Sequence, residues 1–118
     1  MKFLVLGSQI ASLVNFRGPL IRDLIRLGHQ VVAVAPEPAE PWLSQLKALG
    51  ATYIEAPMAR TGINPVADLK LTVWLWQLFR RERPDVLLAF HAKPVIYGGI
   101  AAVLAGIKNR TAMIEGLG

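Results

Sequence analysis

The chain has 118 residues, 53% of them hydrophobic and 18% charged, with a net charge of +5; this suits one domain with a real core and excludes a disordered chain. It has no cysteine and two histidines, which excludes a disulfide framework, a thiolate metal site and a cysteine nucleophile, argues against zinc, and is compatible with a reducing compartment. The basic residues form no long run apart from Arg80, Arg81 and Arg83, so nucleic acid is only one candidate partner beside phosphorylated small molecules and anionic membrane surfaces.

Lys2–Leu6 is a compact apolar run that predicts a first strand. Lys2 before Phe3-Leu4-Val5-Leu6 has the outline of a signal peptide, but Ser8 and Gln9 interrupt it and no small-x-small cleavage site follows. Gly18–Leu27 is expected as the first helix, with Leu20, Ile21, Leu24 and Ile25 on one face and Gly28 as its stop. Gln30–Ala35, with three valines, is the second strand. Pro41–Leu49 is a short helix closed by Gly50, and Ala51–Ala56 a weaker third strand.

A loop from Pro57 to Asn64 leads to a long helix from Pro65 to about Glu82. Proline is tolerated in the first turn, and Asn64 can cap it. Asp85–Phe90 is the fourth strand, Pro94–Ala105 a small-residue helix ending at Gly106, and Arg110–Ile114 the fifth strand. The longest nearly apolar stretch, Val95–Ile107, falls short of the roughly 20 residues that span a bilayer. Any membrane contact is therefore expected to be peripheral.

Strands alternating with helices predict an α/β fold, a parallel Rossmann-like sheet covered on both faces. Continuous rather than alternating apolar strands fit that burial. The expected order is 3-2-1-4-5, with the switch point between strands 1 and 4.

In such sheets ligands sit outside the carboxyl ends of the strands. The connections there carry Ser8, Gln9, Asn15 and Arg17 after strand 1, and Glu37 after strand 2. Arg60, Thr61 and Asn64 follow strand 3, His91 and Lys93 strand 4, and Glu115 strand 5. Three separate connections thus offer a cation, and the helices behind them direct their positive ends the same way. That combination is a receptor for phosphate or diphosphate; the plainer alternative is that loops are where charged residues go. A dinucleotide reading is weaker. Gly7 is followed by Ser8-Gln9-Ile10-Ala11, so neither the G-x-G-x-x-G fingerprint nor a P-loop is present, although Glu37 stands where a ribose-binding acid would.

His91 is the candidate acid/base group at the reaction centre, against a capping or packing role. His29 follows a helix-ending glycine and is expected at the opposite end of the sheet. The long helix is apolar almost all round, through Leu69, Leu71, Val73, Trp74, Leu75, Trp76, Leu78 and Phe79. One side must pack on the sheet, and a membrane interface, a further domain or a partner must cover the other unless the helix is deeply buried. Trp74 and Trp76, followed by Arg80 and Arg81, have the character of an interfacial anchor.

Four stretches stand in series: Ser12 to Leu20 (SLVNFRGPL), Arg60 to Pro65 with Asp68-Leu69, Lys93 to Gly98 with Ala101-Ala102, and Gly116-Leu117-Gly118. Together they resemble the N-terminal domain of bacterial family-4-type glycosyltransferases, over essentially the whole chain. The nearest group adds an N-acetylhexosamine, N-acetylgalactosamine included, to an undecaprenyl-diphosphate-linked sugar in glycan and capsule assembly. The resemblance implies a GT-B fold of two Rossmann-like domains with the site in the cleft between them. It makes residues 1–118 the acceptor-binding domain, in part, with the donor-binding domain absent. It implies a retaining transfer from a nucleotide sugar, UDP-N-acetylhexosamine, with no cofactor and no metal, by an enzyme at the inner face of the cell membrane.

On this resemblance Ser8, Asn15, Arg17, Arg60, Thr61, Asn64, Lys93 and Glu115 hold the acceptor and its diphosphate, and His91 is catalytic. Trp74, Trp76, Arg80 and Arg81 touch the anionic membrane, and no nucleic acid is involved. The family's paired glutamates for the donor lie in the second domain. Members of the nearest group often carry threonine or serine two residues before the Lys-Pro, where this chain has His91. The competing readings are a non-catalytic membrane-docking subunit and a nucleotide-binding α/β domain.

Overall fold

A computed structural model describes residues 1–7, 9–57, 65–90, 92–107 and 109–113. Five parallel strands, β1 (Lys2–Leu6), β2 (Gln30–Ala35), β3 (Thr52–Glu55), β4 (Val86–Phe90) and β5 (Asn109–Met113), lie in the order β3-β2-β1-β4-β5, as the alternation predicts. Leu4 is the hinge of the register, paired with Val32 on one side and Leu87 on the other.

Among the described residues four helices connect them: α1 (Ile10–Arg26), α2 (Trp42–Leu49), α3 (Pro65–Glu82) and α4 (Ala92–Ala105). The period-2 alternation of a strand divides the core between the two faces. Leu4, Leu6, Val32, Val34, Leu87 and Ala89 pack with Leu71, Leu75, Leu78 and Phe79 of α3 and with Ala101 and Ala102 of α4. Val5, Val31, Ala33, Ala35 and Phe90 pack on the other face with Ile10, Leu13 and Ile21 of α1 and Leu46 of α2. Both faces are covered, which is why these strands are continuous apolar runs.

The first helix departs from expectation. It begins at Ile10, eight residues before Gly18, and runs through Gly18 and Pro19 without ending. Proline inside a helix removes the bond to the carbonyl four residues earlier; here Pro19 and Asn15 are both exposed, so that carbonyl faces water. The inward stripe is Ile10, Leu13, Arg17 and Ile21, at the i, i+3, i+7, i+11 spacing of one helix face. Leu20, expected on that face, is exposed.

The smaller shifts are local. Helix α4 starts at Ala92 rather than Pro94; Pro94 still lies in the first turn, where a missing N–H costs no helical bond. Gly50 closes α2 in the left-handed conformation, with φ 97°, as a helix-ending glycine does. Gly98 lets α4 approach the sheet closely: a Cβ there would lie 2.7 Å from Cδ2 of the fully buried Leu6.

Helix α3 packs beside α4 and buries Leu71, Leu75, Leu78 and Phe79, while Trp74 and Trp76 lie partly buried against the same core. Val66, Leu69 and Val73 remain exposed on α3, as do Ile96, Ile100, Val103 and Leu104 on α4. No helix among the described residues is long and apolar enough to cross a membrane.

Candidate functional site

Strand β1 ends at Leu6, and Gly7 donates its N–H to the Val34 carbonyl at 2.9 Å. A Cβ on Gly7 would stand 2.8 Å from Cδ2 of Leu13, so glycine lets the chain turn back closely into α1. Gln9 occupies the N-cap in extended conformation and makes no side-chain cap hydrogen bond. The first-turn amides of α1 therefore face the carboxyl edge without a cap from Gln9.

Arg17 is the informative residue of this edge. It lies on the inward stripe of α1, half-buried, with its guanidinium carbon 4.4 Å from the centroid of the Phe90 ring. A cation over an aromatic face is attracted by the ring's quadrupole. Phe90 is buried and is the last residue of β4, so Arg17 sits at the switch point between β1 and β4. Lys93 follows three residues later, in the first turn of α4. Both cations thus come from elements that meet at one edge of the sheet. Asn15 does not share this placement: it is exposed, two residues from Arg17 on α1, and residues two apart do not share a helix face. Arg17 and Asn15 are helical residues, not the loop residues the sequence suggests. Ser8, Arg60, Thr61, Asn64, His91 and Glu115 lie outside the described residues.

Two features of the edge were not singled out by the sequence. Asp68, in the first turn of α3, is 7% exposed and accepts a hydrogen bond from the Tyr97 hydroxyl of α4 at 2.9 Å. That bond, then burial, then the charge of Asp68 push the Tyr97 phenol above its usual 10.0. The only signal was that both residues stand inside or beside the stretches that carry the family resemblance. The second feature is a cleft of about 340 Å³ between the β1–α1 and β2–α2 connections, with Gln9, Ile10, Pro36, Glu37 and Trp42 in its wall. Glu37 holds a left-handed backbone, φ 51°, a conformation that costs a non-glycine residue about 1–3 kcal/mol and concentrates at functional sites. Close by, the Tyr53 hydroxyl donates to the Ala35 carbonyl at 2.6 Å. Burial, and then Glu55, push that phenol up to about 12.

A larger cavity of about 490 Å³, lined in part by Arg80, Arg83 and Asp85, opens at the amino end of β4, the edge opposite to the one where ligands of such sheets sit. His29 belongs to that end as expected: its Nδ1 lies 3.2 Å from the Met1 amino group and its ring meets Phe3 edge-on. Arg80 lies over the Trp76 ring at 5.1 Å, and Arg81 pairs with Glu82 at 3.6 Å.

Residues 16–114 match the sequence profile of the glycosyl transferase 4-like domain. The chain belongs to this family. Among curated relatives it is 30% identical, over 108 residues, to the N,N'-diacetylbacillosaminyl-diphospho-undecaprenol alpha-1,3-N-acetylgalactosaminyltransferase of Campylobacter jejuni. That match covers 92% of this chain and 28% of the relative. Solved structures share the fold. The MurG structure from Acinetobacter baumannii superposes with a TM-score of 0.69 at 22% identity, covering 96% of this chain and 33% of that one. A UDP-GlcNAc 2-epimerase from Neisseria meningitidis, bound to UDP-GlcNAc, gives 0.70 at 14% identity, over 96% of this chain and 32% of that one. The glycosyl transferase 4-like domain described here is thus a Rossmann-like domain of the GT-B type, spanning about a third or less of each of these proteins.

Proposed function

We propose that this domain is the acceptor-holding part of a retaining glycosyltransferase, one that moves a sugar from UDP-N-acetylhexosamine to a lipid-diphosphate-linked acceptor in polysaccharide assembly. The observation that carries the reading is Arg17, a cation on the buried stripe of α1, stacked on Phe90 at the switch point. The name of the Campylobacter relative, with its diphospho-undecaprenol acceptor, supports the choice of ligand.

In this reading Arg17 and Arg60 fork onto the diphosphate and Lys93 adds a point charge. Ser8, Thr61, Asn64 and Glu115 complete the hydrogen bonding, while Asn15, exposed and off the helix face that carries Arg17, takes no part. The positive ends of α1, α3 and α4 lower the cost of gathering negative charge there. His91 stands one residue beyond Phe90 and serves the acceptor hydroxyl as acid/base group. The leaving nucleoside diphosphate needs stabilising groups that a separate donor-binding domain supplies, so residues 1–118 alone do not turn over a UDP-sugar. Binding of acceptor against donor by this chain and its Arg17→Ala variant tests the reading.

The same enzyme works at the inner face of the membrane. The exposed apolar side chains of α3 and α4, with Arg80 over the half-buried Trp76 and Arg81 exposed next to it in the chain, support peripheral docking on an anionic surface.

A further inference from the structure

We infer that Tyr97 and Asp68 are positioning residues for a diphosphate: their side-chain hydrogen bond pins the first turn of α3 to the second turn of α4, and with it the spacing between the two connections that carry Arg60 and Lys93. The inference rests on the diphosphate reading above and deepens it, because neither residue is one of the groups assigned to the ligand.

The placement of the pair carries the argument. Asp68 stands three residues after Pro65, where the connection holding Arg60, Thr61 and Asn64 in its sequence gives way to α3. Tyr97 stands four residues after Lys93 on α4, and residues four apart share a helix face. The Tyr97 hydroxyl donates to Asp68 Oδ2 at 2.9 Å, so one bond ties together the two helices that follow β3 and β4 at the carboxyl edge. Both partners are braced. The Tyr97 ring packs partly against the core, and the Thr72 hydroxyl donates to the Asp68 carbonyl at 2.9 Å.

The rest of the packing between these helices sets their spacing less closely. Helix α3 brings Leu71, Leu75, Leu78 and Phe79 to the shared core, whereas α4 brings Ala101 and Ala102, whose short side chains interdigitate little. Apolar burial is non-directional, while a hydrogen bond between oxygens confines donor and acceptor to about 2.5–3.0 Å. Stability alone does not call for a polar pair here, since apolar groups of the same shape in place of both partners are nearly neutral. What they would not supply is a fixed distance between the two helix starts. Arg60 and Lys93 belong to different connections, and a ligand held by both gains most when that distance is set in advance, because ordering on binding subtracts from affinity.

The test is a titration of the isotope-labelled chain with inorganic pyrophosphate, followed by amide shifts, beside the melting temperature of each variant. Tyr97→Phe is expected to weaken pyrophosphate about fivefold or more, the lower end of coupling between separate sites, at a temperature where the variant is fully folded. Asp68→Ala should weaken it too. Removing a carboxylate from the edge that holds an anion would by charge alone tighten that anion, so weakening there reports position. Tyr97→Phe keeps the ring and decides the matter if Asp68→Ala does not fold. Leu78→Val is the control: it opens space in the core near the far end of α3 and should lower the melting temperature while leaving pyrophosphate affinity unchanged. Parental affinity in Tyr97→Phe, tighter binding in Asp68→Ala, or equal weakening in Leu78→Val overturns the positioning role and leaves the diphosphate reading standing. Pyrophosphate that does not bind the unaltered chain, or binds it indifferently to Arg17→Ala, overturns the diphosphate reading and the positioning role with it.

Discussion

The hydroxyl of Tyr97 on α4 donates to Oδ2 of Asp68 on α3 at 2.9 Å. The bond joins the first turn of α3 to the second turn of α4, so the ends of both helices that face the carboxyl edge are set relative to each other by one polar contact. Asp68 is the one buried charged residue among the described residues. Buried carboxylates persist where hydrogen bonds compensate them, and Thr72 contributes to the same turn by donating to the Asp68 carbonyl at 2.9 Å.

The contact should therefore behave as a coupled pair. Tyr97→Phe and Asp68→Asn are each expected to lower the melting temperature, and the double variant to lose less than the sum, because groups in one hydrogen-bonded contact are not additive. Strict additivity in the denaturation cycle would show that the two side chains do not act together.

Both tyrosines of the chain titrate above the ordinary 10.0, Tyr53 at about 12 and Tyr97 in the same direction. A phenol whose folded pKa is raised contributes stability that is complete below pH 10 and is lost as pH climbs through the folded value. Tyrosinate absorbance is expected to lag that of free tyrosine and to rise together with base unfolding between about pH 10 and 12. Tyr53→Phe should soften that loss. Tyrosinate formed at its usual pH with the fold intact would contradict the burial of Tyr53.

Gly98 sets the spacing of α4 from the sheet. Gly98→Ala forces its methyl onto the fully buried Leu6 and is expected to cost about 1–3 kcal/mol, the range for overpacking a core. Chemical denaturation measures it, and Gly98→Ala should cost less in a Leu6→Ala background, where room has been opened, although Leu6→Ala is itself destabilising by about 2–5 kcal/mol. An unchanged midpoint for Gly98→Ala would mean that α4 rides further from β1.

Membrane docking makes a separate claim. Binding to anionic vesicles should fall with salt, as surface attraction is screened, and Ile100→Ser with Leu104→Ser should weaken it, since both are exposed. Trp74→Ala, Trp76→Ala and Arg80→Ala together should weaken it too, with a loss of stability from the half-buried rings. Vesicle binding untouched by either set would sink the membrane assignment and leave this face to another partner.

Strands β1, β2 and β4 were legible because each is a short apolar run in the covered middle of the sheet, and the order is that of a doubly wound sheet with its switch point between strands 1 and 4. The start of α1 was not. Gly18-Pro19 has the form of a helix opening, and only tertiary packing reveals that Gly18 is buried within the helix while Pro19 lies on its wet side. The placement of Arg17 depends on that start: as a loop residue it is one cation of three, whereas on the stripe between Leu13 and Ile21 it reaches Phe90. Trp42 carried no local signal at all, because its cleft arises between two connections far apart in the chain. Asp68 and Tyr97 stood inside recognisable stretches, but nothing in their spacing showed that they touch.

The central claim is that this domain holds a lipid-diphosphate acceptor, and calorimetric titration of the chain with a short-chain polyprenyl-diphosphate N-acetylhexosamine and with UDP-N-acetylhexosamine tests it most directly. The lipid diphosphate is expected to bind more tightly, and Arg17→Ala to weaken it about tenfold or more, since a hydrogen bond to a charged group contributes about 1.5–3 kcal/mol and tenfold is about 1.4. The nucleotide sugar should bind weakly and be indifferent to Arg17. Tighter binding of the nucleotide sugar, lost in Arg17→Ala while the lipid diphosphate is unaffected, would contradict the account and assign this edge to the donor.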